Sequence, residues 1–156
     1  MPIQFVEGDV FVNKYNVQAF AHGCNCIGSM GAGIAVGIKQ RYPEMFEEYR
    51  RRCKANPREF NPGDVFLWKA EDQPSVFNLA TQENNWRQRA TYPTIEQVLE
   101  NMKQIADREI IVSIAMPRIG AGYGGLSWKK VRAIIERSFA EWSATLYVYD
   151  VYVPGQ

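Results

Sequence analysis

With 156 residues, 46% of them hydrophobic and 22% charged, the chain has enough apolar material for a core without disulfides or a metal, and its length fits one domain over 1–156. A formal net charge of +1 provides no long-range field toward nucleic acid or an anionic membrane, so a nucleic-acid target would have to be recognised locally, by a few loop residues. Three cysteines (Cys24, Cys26, Cys53) do not make a disulfide framework and favour a reducing cytoplasm; MPIQFVEGD has neither the basic nor the apolar region of an export signal, and no apolar run is long enough to span a bilayer.

In chain order, Ile3 and Phe5 alternate with polar residues and predict a first strand ending at Gly8-Asp9. Val10 to Val12 reads as a short second extended piece, and Asn13 to Asn16 as a turn. Val17 to Gly23 has the composition of a buried strand and runs into the glycine-rich CNCIGSMGAG. A helix is expected from about Gly31, with Ile34, Ala35 and Ile38 on one face, and a second begins at Pro43. Asp64 to Lys69 and Ser75 to Leu79 are two further strands.

Thr94 to Asp107 is the best-marked helix. Thr94 and Gln97 have capping-box spacing, and Ile95, Val98, Leu99, Met102, Ile105 and Ala106 keep one face apolar. Ile110 to Ala115 reads as a β-branched strand stopping at Pro117. RIGAGYGGL follows, then a helix capped by Ser127 with Trp128, Val131, Ile134, Ile135 and Trp142 inward, and a last strand from Thr145 to Val151. Strands alternating with helices predict an α/β fold, a three-layer α/β/α sandwich around a central mixed sheet. No repeat, linker or low-complexity tract interrupts it.

The glycine runs at Gly28 to Gly37 and Gly120 to Gly125 each follow a buried strand and precede a helix, where open α/β sheets bind ligands. Glycine lets the backbone approach a ligand closely, and the helix start beyond it offers unpaired N–H groups to an anion. One such loop alone reads as a tight strand-to-helix connection. Two at corresponding places read as a clamp for a pyrophosphate. A P-loop is excluded because no GxxxxGK[ST] is present, and Gly31-x-Gly33-x-x-x-Gly37 misses the dinucleotide spacing by one residue.

GDV at 8–10, AHGCNCIGSMGAGIAVGIKQRYP at 21–43 and MPRIGAGYGGLSW at 116–128 resemble the macro domain family, in order and spacing over nearly the whole chain. The resemblance is to the small branch with terminal ADP-ribose glycohydrolases, DNA-ADP-ribose-removing antitoxins and ADP-ribose 1″-phosphate phosphatases. It implies that the chain binds ADP-ribose or an ADP-ribosylated target and needs no cofactor. Asp9 matches the acid that accepts a hydrogen bond from the adenine amino group, as an acceptor-only carboxylate can, and Val10 the backbone beside it. The alternative for Asp9 is a turn aspartate. Met30, Gly31, Ala32, Gly33, Ile34 and Ala35 match the loop around the distal ribose and diphosphate. Ile119, Gly120, Ala121, Gly122, Tyr123 and Gly124 match the second phosphate loop, and Val151 the apolar side chain packed on adenine. Asn25 binds the distal ribose or caps its loop.

Three departures bear on catalysis. Where the glycohydrolase and antitoxin group carries a lysine, this chain has Gln82, which cannot act as an amine nucleophile. The glycohydrolase aspartate of the second loop is Gly124, and the aspartate of the other hydrolytic branch falls at Ile34-Ala35-Val36. His22 remains as the candidate catalytic residue, matching a histidine of phosphatase-like members; its alternative is a hydrogen-bonded structural role. His22, Cys24 and Cys26 alternate, but residues two apart on a strand lie about 6–7 Å from each other, too spread for one zinc, and no metal is expected. Arg50 to Arg58 reads as a solvated helix end. In QENNWRQRATY at 82–92, Trp86, Arg87 and Arg89 either stack on a base or belong to a plain surface loop whose tryptophan folds back. Three functions stay open: a binding module for ADP-ribose, a hydrolase such as an ADP-ribose 1″-phosphate phosphatase, and a reader of ADP-ribosylated nucleic acid through the 82–92 loop.

Overall fold

A computed structural model describes residues 2–156. Six strands, β1 (Ile3–Gly8), β2 (Ala19–Cys24), β3 (Val65–Trp68), β4 (Ser75–Ala80), β5 (Ser113–Pro117) and β6 (Thr145–Tyr152), form one sheet in the order β1-β6-β5-β2-β4-β3. Every neighbouring pair is parallel except β3 with β4, which makes the sheet mixed. Helices α1 (Ile34–Arg41) and α2 (Pro43–Lys54) cover one face, and α3 (Tyr92–Arg108) and α4 (Trp128–Ser138) the other.

The period of two along the strands sorts the core. Ala19 and Ala21 of β2, Ile114 and Met116 of β5, and Leu146 and Val148 of β6 pack with the apolar stripes of α3 and α4. Phe20, Ala115 and Tyr149, one position out of phase, pack with Ile38, Met45, Phe46 and Tyr49 of α1 and α2. Both faces are thus buried, as parallel strands require.

Local chemistry moved several boundaries. Val10–Val12 is a 3-10 turn rather than an extended piece, because the Asp9 side chain accepts from the Phe11 N–H and curls the chain. The chain then turns through Asn13 and Asn16, both at positive φ. Helix α1 begins at Ile34, not Gly31. Helix α3 begins three residues early: Thr91, not Thr94, is the N-cap, and Pro93 sits in the first turn, where its missing N–H costs nothing. Gln97 makes no capping box, since its amide donates to Asn101 instead. Ile110, expected to open a strand, lies in the left-handed region with φ 57° and is exposed, so β5 starts only at Ser113. Trp142 lies beyond α4, buried, with its indole N–H donating to Asp107 at 2.8 Å.

Candidate functional site

One cleft of about 1090 Å³ opens over the carboxyl ends of the strands, and drug-sized ligands occupy clefts of roughly 300–1,000 Å³. It receives Gly8 to Phe11 after β1, the turn after β2 from Asn25 to Ala35, Thr81, Gln82 and Asn85 after β4, and Pro117 to Gly124 after β5. Tyr149, Asp150 and Tyr152 of β6 complete it. β2 and β5 are the two central parallel neighbours and the chain leaves them toward opposite edges of the sheet, so the two glycine loops face each other at this switch point, as open α/β folds place their ligands.

Asn25 organises the first loop. Its Oδ1 accepts from the Tyr49 hydroxyl at 2.7 Å and from the N–H groups of Ile27 and Ser29 at 3.2 and 3.3 Å, while its Nδ2 donates to the Ser29 carbonyl at 3.0 Å. This side chain caps the loop, and the loop then reaches Gly33, whose φ of 61° and ψ of −147° fall in a region reserved for glycine. Gly33, Ile34 and Ala35 all line the cleft, so α1 opens its amino terminus onto it.

In the second loop a Cβ on Gly124 would lie 2.5 Å from the Gly120 carbonyl oxygen, so the loop closes in a shape that admits no side chain there. The Gly124 carbonyl accepts from the Ala90 N–H at 3.2 Å. Gln82 ties this loop to the 82–92 segment: its Nε2 donates to Asn85 Oδ1 at 2.6 Å, to the Asn84 carbonyl at 3.1 Å and to the Tyr123 carbonyl at 3.4 Å.

Asp9 stands at the β1 end of the cleft. Its Oδ1 accepts from the Phe11 N–H at 3.0 Å and its Oδ2 from the Gly155 N–H at 3.3 Å. A carboxylate has about four lone-pair sites, so capping the turn leaves acceptor capacity toward the cleft.

Asp9, Val10, Asn25, Met30 to Ala35 and Ile119 to Gly124 all line the cleft as the sequence places them. Two expected residues do not. Val151 is outside the lining while Asp150 and Tyr152 are in it; a bulge between Val6/Glu7 and Tyr149/Val151 makes Asp150 the extra residue and shifts the facing. His22 is also outside. It is fully buried beneath α1 and α2, opposite Asn78 on β4, and its Nε2–H donates to Asn78 Oδ1 at 2.8 Å. Asn78 in turn donates to the Phe66 carbonyl. Burial lowers the His22 pKa to about 4, against the smaller opposing effect of the Asn78 bond, so the ring is neutral at pH 7 and has no access to the cleft. The neighbouring thiols are held protonated for the same reason, Cys26 up to about 12. Among the described residues no three His, Cys, Asp or Glu side chains are grouped to hold a metal ion.

The sequence reading missed Arg118, Tyr149, Asp150 and Tyr152 as lining residues. Arg118 was legible, being the cation directly before the second glycine loop. The β6 residues were not, because a bulge leaves no trace in the strand's own pattern. Trp86 does not fold back. It is 68% exposed, and Arg87 and Arg89 beside it are exposed too, on a turn held by Asn84 Oδ1 accepting from the N–H groups of residues 86, 87 and 88.

A family model described as the Macro domain matches residues 21–135, which takes in most of β2, both glycine loops and most of α4. The chain belongs to the macro domain family. Macro domains of known structure superpose on nearly all of it: the chain matches Thermosipho africanus DarTG in complex with ADP-ribose with a TM-score of 0.83 at 26% identity, over 96% of this chain and 41% of that one. The human ADP-ribose glycohydrolase OARD1 is 30% identical over 149 residues, covering 96% of this chain and 91% of that protein. The DNA ADP-ribosyl glycohydrolase of Mycobacterium tuberculosis is 30% identical over 142 residues, 89% of this chain. The chain spans only 39% of the length of that relative.

Proposed function

We propose that this macro domain, working as one unit over 1–156 and in the cytoplasm that its three thiols favour, binds ADP-ribose or an ADP-ribosylated target. The observation that carries the reading is the meeting of three features in one cleft: the α1 amino terminus, the closed Gly120–Gly124 loop and the Asp9 carboxylate. The first two suit a diphosphate, and Asp9 suits the amino group of adenine. The complex of the Thermosipho relative with ADP-ribose supports the same ligand here. Titration calorimetry should give a dissociation constant near micromolar, about −8 kcal/mol. Absence of heat and of thermal shift at millimolar ADP-ribose, or tighter binding of ATP or NAD, would sink the reading.

Hydrolysis is the second reading, supported by the names of the glycohydrolase relatives. The titratable side chains in the lining are Asp9, Cys24, Arg118, Asp150 and three tyrosines. Buried His22 supplies a structural bond rather than a proton, so an ADP-ribose 1″-phosphate phosphatase would need another acid or base. The exposed Trp86, Arg87 and Arg89 make the 82–92 turn the surface on which a nucleic-acid attachment would rest.

A further inference from the structure

The sheet order serves as a ruler across the cleft. Neighbouring strands lie about 4.8 Å apart, and the order at this side is β1-β6-β5-β2. With adenine at Asp9 beyond β1, and the diphosphate between the loops that follow β5 and β2, the ribose joining them has to cross the end of β6. Arg118 is anchored there. Its Nε donates to the main-chain oxygen of Asp150 at 2.6 Å, and the side chain lines the cleft.

Among the described residues Arg118 has no carboxylate within ion-pair reach. Asp150 could have neutralised it, but its Oδ2 lies 3.2 Å from Arg132 instead, and the oxygens of Asp9 face backbone N–H groups. The Trp128 ring, 5.6 Å from the guanidinium, supports its other side. The result is an exposed, uncompensated guanidinium, oriented by one bond, with its terminal nitrogens unspent. That fork matches a phosphate.

Resting on the ADP-ribose reading, we propose that Arg118 is a second anion contact that makes this cleft select ADP-ribose carrying a phosphate monoester on its adenosine ribose. Arg118 itself follows β5, but its bond to the Asp150 carbonyl draws the guanidinium toward the end of β6, to the side of the diphosphate clamp. Neither hydroxyl of that ribose is favoured by the geometry, so both isomers are probes.

The test is calorimetry on the full chain with ADP-ribose, its 2′-phosphate and its 3′-phosphate. One phosphorylated ligand should bind about tenfold tighter than ADP-ribose. Arg118→Gln should remove that preference, read as the ratio of the dissociation constants for ADP-ribose and its phosphate measured on the same variant, and Arg118→Lys, which keeps the charge but not the fork, should retain part of it. Should Gln disturb the β6 end, seen as a fall in melting temperature, the Lys variant carries the comparison. ADP-ribose bound with no gain from either phosphate overturns the proposal alone, as does a preference that survives in both variants. No binding of any of the three ligands overturns the ADP-ribose reading and this proposal with it.

Discussion

Asp9 combines a structural and a recognition task in one side chain, and the two can be separated by substitution. Its Oδ1 holds the Phe11 N–H and its Oδ2 the Gly155 N–H, which leaves acceptor sites toward the cleft. Asp9→Ala removes both functions and should weaken ADP-ribose binding by about tenfold to a hundredfold, the 1.5–3 kcal/mol of a charged hydrogen bond. Asp9→Asn keeps an oxygen for Phe11 but presents an NH₂ group; melting near wild type with the same loss in calorimetry would isolate the recognition task. At His22 the prediction is one of pH. The folded pKa of about 4 lies below the unfolded value of about 6.5, so the unfolded chain binds the proton first. Stability from this residue is complete above pH 6.5 and falls as the pH drops toward 4, by about 3 kcal/mol in all. Urea melts of wild type and His22→Gln between pH 7 and 4 should differ in slope over that window; parallel slopes would mean that the ring is solvated. Glu48 acts lower, because Arg51 and Arg52 hold its pKa at about 2. The HGCNC alternation predicts that His22 and Cys24 share a strand face, but Asn78, 56 residues away, decides that this face is core.

Glycine loops were legible as loops and only in part as shapes. Their place between a strand and a helix follows from the hydrophobic pattern, and so did the α/β/α layering. The closure of the second loop did not, because the contact between Gly124 and the Gly120 carbonyl depends on backbone angles that no side-chain pattern encodes. Ile110 failed as a strand residue for a related reason: the chain turns at a β-branched residue in a left-handed conformation, against local preference, so that β5 can start beside β2 and β6. Two substitutions compare the shapes within one loop. Gly124→Ala forces the loop open and should cost about 1–3 kcal/mol, the usual range for overpacking, with a loss of ADP-ribose binding of at least about tenfold. Gly122→Ala meets nothing within 4 Å and should melt as wild type does. Equal melting temperatures for the two variants would show that the second loop is not held in the closed form. Gln82→Ala removes the bond from the 82–92 segment to the Tyr123 carbonyl of that loop and two more within the segment, and faster amide exchange at Tyr123 and Asn85 is the expected sign.

Across the whole molecule, the proposed diphosphate cleft has Gln82 and Gly124 at the two places that the resemblance matches to a catalytic lysine and aspartate. Gln82 stands where a lysine is expected, with its amide already spent on three acceptors, and Gly124 has no room for a carboxylate. Glu83 is the one acid beside Gln82, and it is clamped by Arg58 through two contacts of 2.6 Å, which also hold its pKa below the usual carboxylate range. A general base must reach the proton it takes, and Glu83 is outside the lining. The net charge of +1 adds no steering toward a polyanion, so contact with an attached strand would fall to Arg87, Arg89 and Trp86. Neutralising two phosphates gives a salt slope of only about −1.4 for a single strand, against roughly −7 for a protein making ten contacts. The chain should therefore hold ADP-ribosylated DNA little more tightly than free ADP-ribose. It should also release little ADP-ribose over buffer from either thymidine-linked DNA or auto-modified protein. Chromatography of the released ADP-ribose over a time course, with Kd measured on the same substrates, checks both statements together. Rapid release from either substrate would place the chemistry on a group other than those weighed here, and a steep salt dependence would assign the basic contact to a surface beyond the 82–92 turn.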